Sequence, residues 1–206
     1  PTEAQGPSTN VITVVVTDTN AAALANQQLS VTNTFTVTVR EVNTAPQLTV
    51  PGNQTINELT ALNVSASATD SDLPANPLTF SLISPPTGMT IHPNTGAIAW
   101  TPTEAQGPST NVITVVVTDT NAAALANQQL STTNTFTVTV NEVNHAPQLT
   151  VPANQTIDEL TSLNVSASAT DSDLPANPLT FTLVSPPAGM TINPNTGAIA
   201  WTPTEA

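Results

Sequence analysis

The residues with chemistry to offer in this chain are acids, and they recur at fixed phases. Residues 1–105 align with 102–206 at all but ten positions, a repeat period of 101. Glu3 recurs as Glu104 and Glu205, Asp18 as Asp119, Glu41 as Glu142 and Glu58 as Glu159. Asp70 and Asp72 recur as Asp171 and Asp173. Of the 14 carboxylates only Asp158 falls off these phases, where its counterpart Asn57 is neutral. Lys plus Arg total one residue, Arg40, and the second copy has Asn141 in its place. Salt bridges therefore cannot neutralise the acids. They need a cation, or they must be spread thinly in water. Calcium would suit them, because it takes six to eight hard oxygens at about 2.3–2.6 Å from carboxylates, Asn side chains and backbone carbonyls.

Other chemistry has little to stand on. Cysteine and lysine are both absent, which removes disulfides, thiolate nucleophiles, Lys–Asn isopeptide bonds and Lys Schiff bases. His92 and His145 sit at different phases and are replaced by Asn193 and Thr44 in the other copies. A site needed in every repeat would not be built on them, so both read as solvated loop histidines. Neither a Ser-His-Asp set nor two-His metal spacing occurs, and the chain reads as no enzyme. One Trp and two Phe per copy suit a core better than a sugar platform. Asn53-Gln54-Thr55 and Asn63-Val64-Ser65 match the glycosylation sequon, a pattern common by chance in so Asn/Thr-rich a chain. A net charge of −13 argues against nucleic acid and anionic membranes, and no apolar run is long enough to span a bilayer.

The elements that must position the acids read as β-strands. Leu62, Val64, Ala66 and Ala68 alternate with polar residues, Leu78, Phe80 and Leu82 form a second apolar face, and Ile98 and Trp100 a third. Ile113, Val115 and Val117 make a β-branched strand that ends at Asp119, and Phe136, Val138 and Val140 make the last. With Gln47–Val50 and Met89–Ile91 this gives about seven strands separated by Pro/Gly/Asn/Asp punctuation, the pattern of a β-sandwich. Asn121–Gln129 reads as a loop with room for one helical turn.

Ala45-Pro46 and Ala146-Pro147 follow the last strand of each copy, where proline suits the start of a new edge strand. The expected organisation is three segments. Residues 1–44 supply the last two strands of one sandwich, 45–144 a complete sandwich, and 145–206 the first five strands of the next. The linkers are so short that the sandwiches are joined end to end.

Several motifs occur in the order found in cadherin-type and related bacterial immunoglobulin-like repeats, including dystroglycan-type cadherin-like modules. Asn76–Leu82, Pro86–Ile91 and Thr95–Trp100 resemble the central strands of that family. Asp70-Ser71-Asp72 resembles its DxD motif, Thr103-Glu104 its LDRE-like segment, and Val117-Thr118-Asp119 the acid that closes the penultimate strand. Glu142-Val143-Asn144-His145-Ala146-Pro147 resembles the DxNDNxP linker, and Glu58 the early Glu. The resemblance implies an all-β chain of tandem Ig/cadherin-like sandwiches with calcium held between successive domains. Carried over residue by residue, the first junction would use Glu3, Glu41 and Asn43 with Asp70, Asp72, Asn76 and Asp119. The second would use Glu58, Glu104, Glu142 and Asn144 with Asp171, Asp173 and Asn177. Thr44 or His145 stands where the linker motif has its last Asp, which implies one or two ions per junction.

On these grounds the expected role is a structural repeat of an extracellular or cell-surface fibre, stiffened by calcium and partnered by copies of itself head to tail. The alternative is an adhesin or carbohydrate-binding accessory module that takes a cell-surface or glycan ligand through loops such as Ala122–Ser131.

Overall fold

In a computed structural model that describes residues 1–205, the chain divides into two compact units. One comprises Pro1–Gln54, Leu62–Trp100 and Asn111–Val138, and the other Thr55–Ala61, Thr101–Thr110 and Thr139–Ala206.

The first unit opens with a 3-10 turn, Glu3–Gln5, and a long hairpin of β1 (Ser8–Thr19) and β2 (Gln28–Val39), paired antiparallel from Ser8 opposite Val39 to Thr19 opposite Gln28. Seven short or medium strands follow along the chain, with β4 from Thr55 onward in the second unit: β3 (Gln47–Thr49), β4 (Gln54–Asn57), β5 (Leu62–Ser65), β6 (Ser67–Thr69), β7 (Leu78–Ile83), β8 (Thr90–Ile91) and β9 (Ala97–Trp100). After a second 3-10 turn, Glu104–Gln106, which belongs to the second unit, come β10 (Ser109–Asp119) and β11 (Ser131–Asn141), whose Asn111–Asp119 and Ser131–Val138 parts lie in the first. Four of these make a sheet in the order β4-β11-β10-β7, with β5-β9-β8 and β3-β6 as smaller sheets. The middle repeat thus has nine strands where seven were expected, because the single strand expected over 62–68 is two and Gln54–Asn57 forms a strand as well. β5 pairs with β9 and β6 with β3, so the chain changes sheets at the buried Ala66. The Ala66 N–H donates to the Gly96 carbonyl at 2.9 Å, and Gly96 sits at φ +68°, where a Cβ would strike the Ala66 carbonyl. Only glycine fits that corner at no steric cost.

β10 shows why the alternation is readable. Ile113, Val115, Val117 and Asp119 are buried while Thr114, Val116 and Thr118 are partly exposed, the two-residue period of a strand with one face in the core. Phe80, paired with Val117 across the β10–β7 ladder, is buried too, as are Ile98, Trp100, Phe136 and Val138. The Asn121–Gln129 loop contains turns and an isolated bridge from Ala124 to Glu41, and no helical turn.

The second unit carries the third repeat: β12 (Gln148–Thr150) paired with β14 (Ser168–Thr170), and β13 (Leu163–Ser166) with β16 (Ala198–Trp201) and β15 (Thr191–Ile192). Five strands were expected and five form, but they are not all the expected ones. Gln155–Asp158 and Leu179–Val184, the counterparts of β4 and β7, are not strands. In the middle repeat β4 lies beside β11 and β7 beside β10. The third repeat has no such neighbours within the 206 residues, and a strand without a ladder partner has no hydrogen bonds to define it.

A candidate metal centre at two acidic junctions

Within the first unit, the segment that leaves β2 and the loops of the middle repeat bring all seven expected residues of the first junction together. Asp70-Ser71-Asp72 folds as an Asx turn, the Asp72 N–H donating to Asp70 Oδ1 at 2.9 Å, which turns both carboxylates toward the linker. Thr44 N–H donates to both Asp72 oxygens, at 3.2 and 3.0 Å. The 3-10 turn presents Glu3, whose Oε1 accepts from the Leu73 N–H at 3.1 Å. One carboxylate oxygen each of Glu3, Glu41 and Asp72 lie within 4.8 Å of one another, and so do those of Asp70, Asp72 and Asp119. Asn43 Nδ2 donates to Asp119 Oδ1 at 2.9 Å, and Asn76 Nδ2 to Asp72 Oδ2 at 2.9 Å. Glu41, Asn43, Asp72 and Asp119 are all buried.

One member of this cluster was not expected from the sequence. Asn121 is buried, and its Nδ2 donates to Glu41 Oε1 at 3.1 Å and to Asp72 Oδ2 at 3.2 Å. The signal is Asp119-x-Asn121, the same spacing as Asp70-x-Asp72, but a neutral Asn at the edge of a bland loop has no charge to mark it.

The second unit repeats the arrangement. Val143 N–H donates to Glu58 Oε1 at 2.9 Å, Asp173 N–H to Asp171 Oδ1 at 3.0 Å, and Leu174 N–H to Glu104 Oε1 at 3.3 Å. Oxygens of Glu58, Glu104 and Glu142 lie within 4.8 Å of one another. Asn177 Nδ2 donates to Asp173 Oδ2 at 2.9 Å and to Asn144 Oδ1 at 3.2 Å, although Asn144 itself is exposed. Gly107 makes room for Glu58, since a Cβ there would collide with the Glu58 carboxylate.

His145 is an exposed loop residue, as expected, but its contacts were not foreseen. Its backbone N–H donates to both Asp173 oxygens, and its Nδ1 lies 3.1 Å from Asp173 Oδ1, within a Glu104–His145–Asp173 cluster. The backbone contact repeats what Thr44 makes at the first junction, so the side chain arrives there because the position is fixed. Among the described residues this is the only ion pair. Asp173 raises the His145 pKa through that hydrogen bond, desolvation acts against it, and the Asp173 charge adds to the rise. The Glu142 pKa is also raised, by desolvation first and then by the Glu58 and Glu104 charges. His92 behaves as expected, exposed and accepting from the Asn94 N–H.

Five buried carboxylate oxygens accept no hydrogen bond: Glu58 Oε2, Asp70 Oδ2, Asp119 Oδ2 and both oxygens of Glu142. An ionised carboxylate taken out of water without a donor is costly, by several kcal/mol per ion even after relaxation. The available donors are Asn amides and backbone N–H groups, which orient the carboxylates without cancelling their charge. The Glu3–Glu41–Asp72, Asp70–Asp72–Asp119 and Glu58–Glu104–Glu142 sets are all oxygen, which is what a hard divalent cation takes, and at the second junction the His145 imidazole lies beside them. The remaining acids at the repeated phases, Asp18, Glu159 and Glu205, are exposed and belong to neither cluster, and Asp158 is exposed as well.

Antiparallel sandwiches in tandem, with acids gathered at their ends, define a cadherin- or immunoglobulin-like repeat protein. The Putative Ig domain family model matches residues 45–141 and 146–206, and the chain belongs to that family. Its fold is similar to that of mouse cadherin-23 repeats EC22–24, at 20% identity and a TM-score of 0.52 over 95% of this chain. This chain spans 64% of the length of that fragment. Human CDH23 repeats EC21–23 match at 14% identity and a TM-score of 0.49, over 99% of this chain and 82% of theirs. No curated protein matches the sequence. The matching family indicates no catalytic activity.

Proposed function

We propose that this chain is a structural segment of an extracellular or cell-surface stalk, in which calcium locks successive sandwiches into a stiff array of like repeats running head to tail. The observation that carries the reading is the set of five buried carboxylate oxygens with no donor, gathered at linkers that between them hold one Arg, Arg40, and no Lys. At the first junction Glu3, Glu41, Asp70, Asp72 and Asp119 would hold the ion, with Asn43, Asn76 and Asn121 orienting them. At the second, Glu58, Glu104, Glu142, Asp171 and Asp173 would do so. The ion supplies positive charge that the sequence does not. Two unit charges 4 Å apart repel by roughly 4 kcal/mol at an effective dielectric near 20, so five carboxylates around a short linker push its flanks apart until a cation joins them.

Calorimetry and small-angle scattering with calcium or chelator test this directly. Calcium at 100 times its Kd is expected to add about 2.7 kcal/mol of stability, and the maximum dimension of the chain should lengthen and narrow in distribution. Identical melting and scattering curves in calcium and in chelator would sink the reading.

A further inference from the structure

The two junctions share their acids and differ in one ligand-bearing side chain. Thr44 and His145 stand at the same phase, and each donates its backbone N–H to both oxygens of an aspartate in the next repeat, Asp72 or Asp173. That fixed contact brings a threonine to the first junction and an imidazole to the second. His145 Nδ1 lies 3.1 Å from Asp173 Oδ1, and one ligand atom each of Glu104, His145 and Asp173 lie within 4.8 Å of one another. Both acids are held by donors on their other side. Asn177 Nδ2 donates to Asp173 Oδ2 at 2.9 Å, and the Leu174 N–H donates to Glu104 Oε1 at 3.3 Å. Partners of this kind orient the ligands of a metal. The Asp173 side chain is fully buried while that of His145 is 45% exposed, so the imidazole edge of the set meets water.

An imidazolium–carboxylate pair would account for the 3.1 Å contact by itself. It leaves the adjoining acids unexplained. Glu58 is 2% exposed, and its Oε2 and both oxygens of Glu142 accept no hydrogen bond. Glu104 links these acids to His145 and Asp173, being a member of both sets. The Arg40 position is Asn141 in this copy, so one ring, with at most a single charge, stands among Glu58, Glu104, Glu142, Asp171 and Asp173. We propose that Glu104, His145 and Asp173 bind a transition-series dication of the zinc class, which gives the second junction a metal preference that the first lacks. Imidazole with carboxylates suits zinc, whereas calcium takes oxygens. Bonds of about 2.1 Å to zinc set two tetrahedral ligands roughly 3.4 Å apart, near the separation of Nδ1 and Oδ1. Three protein ligands leave the fourth position to water. The proposal goes beyond the calcium reading, because it needs the imidazole and calcium does not. It shares Glu104 and Asp173 with the calcium set of that junction.

With two histidines and no cysteine in the chain, zinc has few other nitrogen or sulfur ligands to find. Calorimetric titration of the calcium-free chain with zinc chloride, together with the nitrogen chemical shifts of the two imidazoles, reads the site. The expected result is one zinc ion per chain, with the His145 ring resonances shifted and those of His92 unmoved. His145→Thr installs the residue that the first junction already accommodates, and it should weaken zinc binding about 100-fold, no less than losing an outer-shell partner costs. Glu104→Gln should weaken it comparably. Thr44→His should add a second zinc site, with Glu3 and Asp72 as its acids, and His92→Asn should change nothing. Equal zinc affinity in the parent and His145→Thr, a shift of the His92 ring in place of the His145 ring, or no zinc bound by the parent would each overturn the proposal. Zinc held through His145 in a chain whose melting ignores calcium upholds this site and removes the calcium stiffening. Calcium stiffening with no zinc bound does the reverse.

Discussion

The hairpin at the start of the chain and the β10–β11 pair are nearly the same sequence in two circumstances. Val14 is 52% exposed and Val115 fully buried, Val16 66% and Val117 fully buried, Phe35 54% and Phe136 3%. Both form long antiparallel strands, so local propensity and the turn suffice for the hairpin. Neither fixes what the apolar face meets. The third repeat adds the converse case: Leu78–Ile83 is a strand beside β10, while the all but identical Leu179–Val184, lacking that neighbour, is not. Burial and edge strands are properties of the assembled sandwich, and the repeated sequence separates them cleanly from local preference. The acids obey the same rule. Asp119 is buried within a cluster and Asp18 exposed, Glu58 buried and Glu159 exposed.

The largest expected break between the copies is at the aromatic pair. Phe136→Ala should cost about 3–5 kcal/mol, because it empties a packed site, whereas Phe35→Ala in a dilute monomeric sample should change stability by less than about 0.5 kcal/mol. Paired denaturant titrations of the two variants check this, and equal costs would mean that the two hairpins are equally covered in solution. Next in size is the acid pair. Asp119→Asn should remove most of the stabilisation that calcium confers at the first junction, on the order of 2 kcal/mol at saturating ion, while Asp18→Asn leaves it unchanged. In chelator the order reverses: Asp119→Asn relieves repulsion and is expected to melt no lower than the parent chain.

Much of the sandwich was legible because period-2 alternation with β-branched residues leaves few other structures open, and Pro46 and Pro147 each stand just before a strand, β3 and β12. The acidic phases located both clusters for a related reason. A carboxylate that recurs without a basic partner has no bland role to play in a core. Other features were illegible for definite physical causes. The break of 62–69 into two strands depends on the Gly96 carbonyl meeting Ala66 across some thirty residues, which no local pattern encodes. Asn121 carries no charge, so only its position against Glu41 and Asp72 reveals it. His145 looked dispensable because Thr44 replaces it, yet the backbone N–H is what both positions share, and the imidazole comes along with it.

A finer contrast lies in two glycines. Gly6 and Gly107 occupy the same phase, both with extended backbone. A Cβ on Gly6 would meet Val39 Cγ1 at 3.4 Å, an ordinary contact, whereas one on Gly107 would collide with the Glu58 carboxylate. Gly6→Ala should therefore stabilise slightly, by about 0.4–1 kcal/mol, through the unfolded chain. Gly107→Ala should cost about 1–3 kcal/mol and weaken calcium binding, because Glu58 must leave its place against Val143. Calorimetric titration of both variants reads the sign of each effect. Equal and opposite responses to calcium are not expected; only Gly107→Ala should alter it.

The smallest effect distinguishes the junctions from each other. At the second, Asp173 raises the pKa of His145, and desolvation with the Glu58 and Glu104 charges raises that of Glu142. A group whose pKa is raised by folding contributes stability that is full below its unfolded value and lost as pH rises through its folded one. For His145 the window begins near the ordinary value of about 6.5 and extends upward, and for Glu142 it opens lower, above the ordinary range of a Glu. In chelator the metal-free second junction should thus lose stability as pH climbs from about 6 to 8, and His145→Thr, which restores the residue of the first junction, should flatten that decline. Thr44→His should impose it on the first junction. With calcium present the slope turns over, since protons on His145 and Glu142 compete with the ion for the same oxygens, and affinity rises with pH. Melting curves of the parent chain and the two exchanges, in chelator and in calcium across that range, decide whether the imidazole at position 145 tunes the joint or merely rides on its backbone.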